Sequence, residues 1–318
     1  MFYEYAVEPA AVTDSWQNFR YLLENFGFDK GRLIYDFPNE WYKLIESALN
    51  KKKTIEKKKW QEKIIKANAF KIVDLNRSDF SEKKSWLTNA INEHKRNKFR
   101  AIIALNHPVK QHYILNPEEL TEENELFKIE KNKQVALTGK SLSTAMSILL
   151  KSAKYFLFVD PYFDVENGQY MKTLNACVVE MTLQRETTVY CEIHFNEFRL
   201  RPSMSQLSFL IKNNKIFENY STKNISIKLF SWKKKVVSNQ TTPHLHPRYL
   251  LTNIGGIQID SSFKAVENND LTTDMALVDL DFCQSKMEFY NENSNVFKLN
   301  SPIIEVHPDG SVTQHICK

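Results

Sequence analysis

A chain of 318 residues that is 42% hydrophobic and 12% aromatic can bury one large core or two ordinary ones, which excludes a wholly disordered protein. Its net charge of +5 excludes a histone-like polycation and leaves a nucleic-acid partner open. No apolar run approaches a membrane span, and the N-terminal MFYEYAVEPA lacks the basic start and apolar centre of a signal peptide, so no membrane partner and a cytoplasmic location are expected.

The four cysteines, Cys177, Cys191, Cys283 and Cys317, have no CxxC spacing; two lie in apolar stretches and read as free thiols in a reducing compartment. Trp16, Phe19, Leu22, Leu23 and Phe26 recur at helical spacing, predicting an amphipathic helix stopped by Gly27. Arg32–Tyr35 reads as a short strand ahead of Pro38, and Trp41–Leu49 as a second helix. Residues 51–66 carry Lys51, Lys52, Lys53, Lys57, Lys58, Lys59, Lys63 and Lys66, either a nucleic-acid face or the solvated side of a helix that packs through Trp60, Ile64 and Ile65. A strand over 69–75, a helix over 83–96 and a strand over 99–105 predict a β–α–β unit. His107 follows its last strand, as a site residue or a solvated loop histidine. The acidic-then-basic stretch 116–139 is the expected boundary, dividing an N-terminal α/β domain of unassigned role, 1–135, from a second domain, 136–318.

The second half alternates helices and strands, which predicts a layered α/β sheet. Helices are expected over 141–153, capped by Thr138 or Ser141, and over 169–183 and 204–217; strands are expected at Tyr155–Val159 and over 188–195, 225–230 and 272–280. Residues 284–318 read as an edge strand and a tail. Asp160 ends a predicted central strand, where α/β sheets form ligand crevices; it reads as a group that orients Arg248 or a substrate, or as a turn stop, and Tyr162 as a hydroxyl donor or a packing ring. Glu192 and His194 share one strand face. Lys233, Lys234 and Lys235 beside Trp232 read as a basic entrance with a base-stacking ring, or as a solvated loop.

A hairpin then carries the chemistry. His246 and Arg248 stand two apart in a β-rich run, so both side chains are expected on one face. Asn253 follows, then a turn expected at Gly255-Gly256, a short strand over 257–259 and the polar run Asp260-Ser261-Ser262. His244 and His246 also form a His-x-His pair that can bind zinc, but no third ligand stands nearby at ligand spacing, and no metal is assigned.

These residues resemble the phospholipase D-like (HKD) superfamily, whose motif is His-x-Lys, four residues, Asp, then six residues and a Gly-Ser or similar pair. His246 stands at the histidine, Arg248 at the lysine, Asn253 at the aspartate and Asp260-Ser261 at the final pair. The strand that ends in Asp160-Pro161-Tyr162 stands where that family's lobe opens, and the resemblance covers roughly residues 140–282. It implies an α/β chain: a phospholipase D-like mixed sheet flanked by helices, preceded by a smaller α/β domain. It also implies a metal- and cofactor-independent phosphodiesterase or nuclease. His246 would be the nucleophile, Arg248 the phosphate clamp, Asn253 an orienting group, and Ser261 or Ser262 a phosphate contact. Arginine for lysine keeps the charge and offers a two-pronged fork; asparagine for aspartate removes an anion that raises imidazole basicity. The same substitutions fit a nucleic-acid-binding or scaffold subunit without activity. One motif copy leaves two solutions: the N-terminal β–α–β unit as a decayed second lobe, or, favoured, a homodimer that pairs two His246 side chains. Compact prokaryotic relatives imply an anti-phage role on DNA ahead of RNA, with an ATPase or helicase partner subunit.

Overall fold

The structure, a computed structural model, describes residues 1–50, 54–74, 77, 80–106, 111–197, 203–235, 245–267 and 270–317. The chain forms two compact units, Met1–Lys131 and Asn132–Lys318. Both are α/β, with parallel and mixed sheets flanked by helices. The second unit starts at Asn132 rather than at 136, because the run beginning there is a strand of its sheet.

The first unit runs β1 (Tyr3–Val7), α1 (Pro9–Thr13), α2 (Trp16–Asn25), β2 (Arg32–Tyr35), α3 (Trp41–Leu49), α4 (Thr54–Lys71), β3 (Ile72–Val73), α5 (Trp86–Arg96), β4 (Ala101–Ile103) and β5 (Ile114–Leu115). Its strands pair in parallel in the order β3-β2-β1-β4-β5. The central strand β1 lies in a stretch with no predicted element. Strands covered on both faces of a parallel sheet lose the polar–apolar alternation that marks a half-buried one. The expected strand over 69–75 shrinks to β3, because the helix ahead of it persists to Lys71.

Helix α2 starts where the Ser15 side chain accepts a hydrogen bond from the Asn18 amide at 3.1 Å, and it buries Phe19, Leu22 and Leu23. The lysine-rich α4 is held by Trp60, whose ring centroid lies 4.3 Å from that of Phe19, and by buried Ile64. Its Lys58 and Lys59 are exposed, and Lys59 sits over the Trp16 ring at 4.0 Å. Ile65, expected on the packing side, is exposed. Lys51, Lys52 and Lys53 lie outside the described residues, as do the side chains of Lys57 and Lys66 and all of His107.

The second unit runs β6 (Asn132–Ala136), α6 (Gly139–Ser152), β7 (Tyr155–Val159), α7 (Gly168–Thr182), β8 (Val189–Asn196), α8 (Met204–Asn213), β9 (Ile225–Lys234), β10 (Arg248–Thr252), β11 (Gly255–Ile259), β12 (Thr272–Val278), α9 (Leu280–Phe289), β13 (Phe297–Leu299), β14 (Ile303–Val306) and β15 (Val312–His315). Its sheet has the order β15-β14-β9-β8-β7-β10-β11-β12-β6, with β13 also on β9. The centre, β7-β8-β9, is parallel, and the strands to either side are antiparallel. Thr138 caps α6 by accepting from the Ser141 amide at 3.1 Å. Gly139 permits close α6–α7 packing, since a Cβ there would meet the Lys172 carbonyl oxygen at 2.8 Å.

Two expectations are corrected here. The hairpin turns at Asn253-Ile254, not at the glycine pair. Thr252 drives that turn: its hydroxyl accepts from the Ile254 and Gly255 amides at 3.2 and 3.1 Å and donates to the Gly255 carbonyl at 2.7 Å. Gly256 lies inside β11, where a Cβ would stand 3.0 Å from the Cys283 Sγ of α9, so it serves close helix–sheet packing. Residues 284–318 supply the expected edge strand, β15, but more than a tail beside it: α9 ends there, and β14 extends the sheet beyond β9 through pairs such as Ile304↔Leu229.

Candidate phosphate-binding edge

The topology gathers one edge. Strands β7, β8 and β9 are parallel, so Asp160, Asn196 and Lys234 close them on the same side of the sheet. Strand β10 runs the other way beside β7, in register Tyr249↔Val159, so its first residue, Arg248, arrives at that side. Arg248 also pairs with Ile259, which brings in the loop beginning at Asp260.

His246 stands just ahead of β10 rather than inside it, and it is exposed. Leu245 before it is buried in the core with Trp232 and Tyr249, which anchors the chain on its approach. The His246 ring lies 6.4 Å from the Tyr162 ring at an interplanar angle of 75°. The Arg248 guanidinium carbon lies 5.3 Å from the same ring centroid, and its Nη1 donates to the Asp260 carbonyl at 2.9 Å. Arg248 Nε and Ser261 Oγ are both buried without a hydrogen-bond partner among the described residues.

Asp160 and Ser262, expected as substrate contacts, are joined to each other instead. Asp160 is 1% exposed. Its Oδ1 accepts from the Tyr162 amide at 2.9 Å, and its Oδ2 accepts from the Ser262 hydroxyl at 2.8 Å and the Phe263 amide at 3.0 Å. A carboxylate so enclosed by donors is a structural anchor for both loops of the edge.

Asn253 is not brought to the edge. It closes the opposite end of β10, about 17 Å away at a rise of roughly 3.3 Å per residue. Its side-chain oxygen accepts from the Lys154 and Tyr155 amides at 3.3 Å each, tying the hairpin turn to the start of β7.

The basic triplet is also corrected, from loop to strand. Lys233 and Lys234 lie in β9 opposite Lys298 and Phe297, and only Lys235 follows it. Lys233 is paired with Glu197 at 2.9 Å. Trp232, expected to stack on bases, is buried, and its indole N–H donates to His194 Nδ1 at 3.0 Å.

That bond exposes a network that the shared strand face of Glu192 and His194 hinted at. His194 is wholly buried, stacked on Phe230 with ring centroids 4.7 Å apart. With Nδ1 accepting, its Nε2 carries the proton and faces Glu192 Oε2 at 3.1 Å. The Tyr155 hydroxyl donates to the other Glu192 oxygen. Burial lowers the His194 pKa against the opposing pull of Glu192, so the ring is neutral near pH 7. Burial and the Glu192 bond push the Tyr155 hydroxyl well up.

His244 lies outside the described residues, and among those described no cluster of three His, Cys, Asp or Glu side chains could hold a metal. No helix of the described residues is long and apolar enough to cross a membrane.

No protein-family model matches the chain, and no curated protein matches it. Among solved structures, TrmBL2, an archaeal chromatin protein whose structure is described as showing a novel mode of DNA binding, is similar at 16% identity with a TM-score of 0.26. The match covers 52% of this chain and 52% of that one, so the chain spans about half of that protein's length. A likeness at that score carries no argument about function.

Proposed function

We propose that the second unit has the phospholipase D-like arrangement and binds a phosphodiester at this edge, cleaving nucleic acid through His246, with DNA ahead of RNA as substrate. The observation that carries the reading is the buried Nε–H of Arg248, without a partner among the described residues and two positions from an exposed imidazole. A desolvated donor without an acceptor costs roughly 1–3 kcal/mol, and a phosphate oxygen would satisfy it. Ser261 offers a second such donor from the adjoining loop.

In this reading a neutral ring nitrogen of His246 attacks phosphorus while Arg248 holds the non-bridging oxygens. The P–O bond breaks and the leaving sugar oxygen takes a proton from the His246 of a second chain in a homodimer. Water then attacks the phosphohistidine, giving up its proton to that second imidazole and restoring both side chains. The test is incubation with supercoiled plasmid and oligonucleotides in EDTA, for the parent and His246→Ala. Cleavage that survives EDTA and vanishes in the variant supports the reading; cleavage that needs a metal, or persists in the variant, overturns it.

A second reading, a binding or scaffold subunit that holds nucleic acid without cutting, has its own support. Among the described residues, His246 has an aromatic neighbour but no carboxylate and no second imidazole in contact. This reading predicts salt-sensitive binding that is lost in Arg248→Ala, with no cleavage by parent or variant. We propose cytoplasmic action for either reading, beside an ATPase or helicase subunit in anti-phage defence. Phage plating on hosts expressing the parent or His246→Ala tests the defence role.

A further inference from the structure

We infer, on the phosphodiester reading above, that Tyr162 is the positioning residue of the edge: its ring holds the His246 imidazole and the Arg248 guanidinium together, ready for one phosphate. The two contacts differ in kind. The guanidinium carbon is 5.3 Å from the ring centroid, within reach of cation–π attraction. The imidazole meets the ring edge-to-face with centroids 6.4 Å apart. Neither contact consumes an N–H donor of Arg248 or a ring nitrogen of His246. A carboxylate in the same place would orient both groups but would also neutralise the charge and occupy the donors that an incoming phosphate needs. The ring aligns them and leaves the Arg248 Nε–H available.

The ring itself has a firm base. The Tyr162 amide is bonded to buried Asp160, the Phe163 amide donates to the Asp160 carbonyl at 3.1 Å, and the Pro161 carbonyl accepts from the Asn196 amide at 3.2 Å. The group that the sequence motif offered for orienting the histidine, Asn253, is occupied at the far end of β10. Tyr162 therefore takes up an orienting role from outside the motif.

Two variants separate this role from mere packing. Tyr162→Phe keeps the ring; Tyr162→Leu fills much of the volume without one. With the full chain and a single-stranded 12-mer DNA as probe, Tyr162→Phe stays within about twofold of the parent in Kd, KM and kcat. Tyr162→Leu weakens Kd about two- to fivefold, the scale of an exposed cation–π contact. It lowers kcat about tenfold or more through misorientation of His246. A readout that needs no substrate is the His246 Cε1–H resonance, assigned with His246→Gln, which moves in Tyr162→Leu and holds in Tyr162→Phe. If Tyr162→Leu matches the parent in affinity and in the His246 resonance, the positioning role is overturned while the phosphodiester reading stands. If the parent neither binds nor cuts the 12-mer, that reading falls, and the resonance still decides whether Tyr162 orients His246.

Discussion

Replacing Asp160 by asparagine tests whether one buried carboxylate holds the edge together. The parent side chain accepts three hydrogen bonds, from the Tyr162 amide, the Ser262 hydroxyl and the Phe263 amide. Asparagine keeps one oxygen, and its amide group must face at least one of those donors. In the best orientation the oxygen serves Ser262 and Phe263, and the NH2 opposes the Tyr162 N–H. One charge-assisted bond is then lost, worth roughly 1.5–3 kcal/mol, and a donor is left without an acceptor. Some relaxation of the half-buried Tyr162 side of the turn brings the expected cost to about 2–4 kcal/mol of local opening. At about 1.36 kcal/mol per factor of ten, that is roughly a 30- to 900-fold loss of protection. Amide hydrogen exchange on the full chain reads it directly: Tyr162 and Phe263 should exchange faster, while central β9 amides such as Leu229, whose strand is paired on both sides, should hold. Parent-like exchange at both loop amides would refute the account of Asp160 as the anchor.

Three further outcomes follow from the packing. Gly256→Ala places a methyl 3.0 Å from Cys283 Sγ and 3.3 Å from the Leu250 carbonyl oxygen, and should cost about 1–3 kcal/mol in urea unfolding. Adding Cys283→Ala should recover part of that loss, and a strictly additive double variant would mean the helix is not what excludes the methyl. His194, with its folded pKa lowered by burial from 6.5, is neutral in both states at pH 7.5. As pH falls through 6.5 the unfolded chain takes up a proton that the folded one refuses, so stability drops until the lowered folded pKa is reached, at up to about 1.4 kcal/mol per pH unit. His194→Phe should remove that share of the slope between pH 7.5 and 5.5, and an unchanged slope would show that the ring charges in place. Asn253→Ala should cost about 1 kcal/mol by leaving the Lys154 and Tyr155 amides without their acceptor, with oligonucleotide affinity unchanged. A loss of affinity without a loss of stability would instead return Asn253 to the site.

What the sequence made legible was local. Trp41–Leu49 and Tyr155–Val159 occur as read, because their apolar spacing and flanking breakers state the element without help from distant residues. The Arg248↔Ile259 pairing, which brings Arg248 beside the start of the Asp260 loop, was legible because a two-stranded hairpin fixes that relation within a few residues. The failures share a different property. Strand β1 is covered on both faces, so Tyr3–Val7 carries no period-two signal. Lys233 and Lys234 look like loop because of their charge, yet β13, some sixty residues later, pairs with them and Glu197 neutralises one. The Asp160 carboxylate meets Ser262 and Phe263 across about a hundred residues of chain, and no spacing rule encodes that meeting.

The anchor and the groups proposed to meet phosphate also differ in burial. Asp160 is enclosed and saturated with donors, which suits a group that fixes geometry and unsuits it for a substrate. His246 is exposed, and Arg248 Nε has no hydrogen-bond partner among the described residues, as the proposed binding of an anion would need. Tyr162 links the two, with its amide on Asp160 and its ring against Arg248 and His246. A change to the anchor should therefore travel through Tyr162 before it reaches His246. Asp160→Asn and Tyr162→Leu should be sub-additive in oligonucleotide affinity, since the second change removes the ring through which the first acts. Additive losses would mean that Asp160 supports Arg248 through the Asp260–Phe263 loop instead, leaving Tyr162 outside the path.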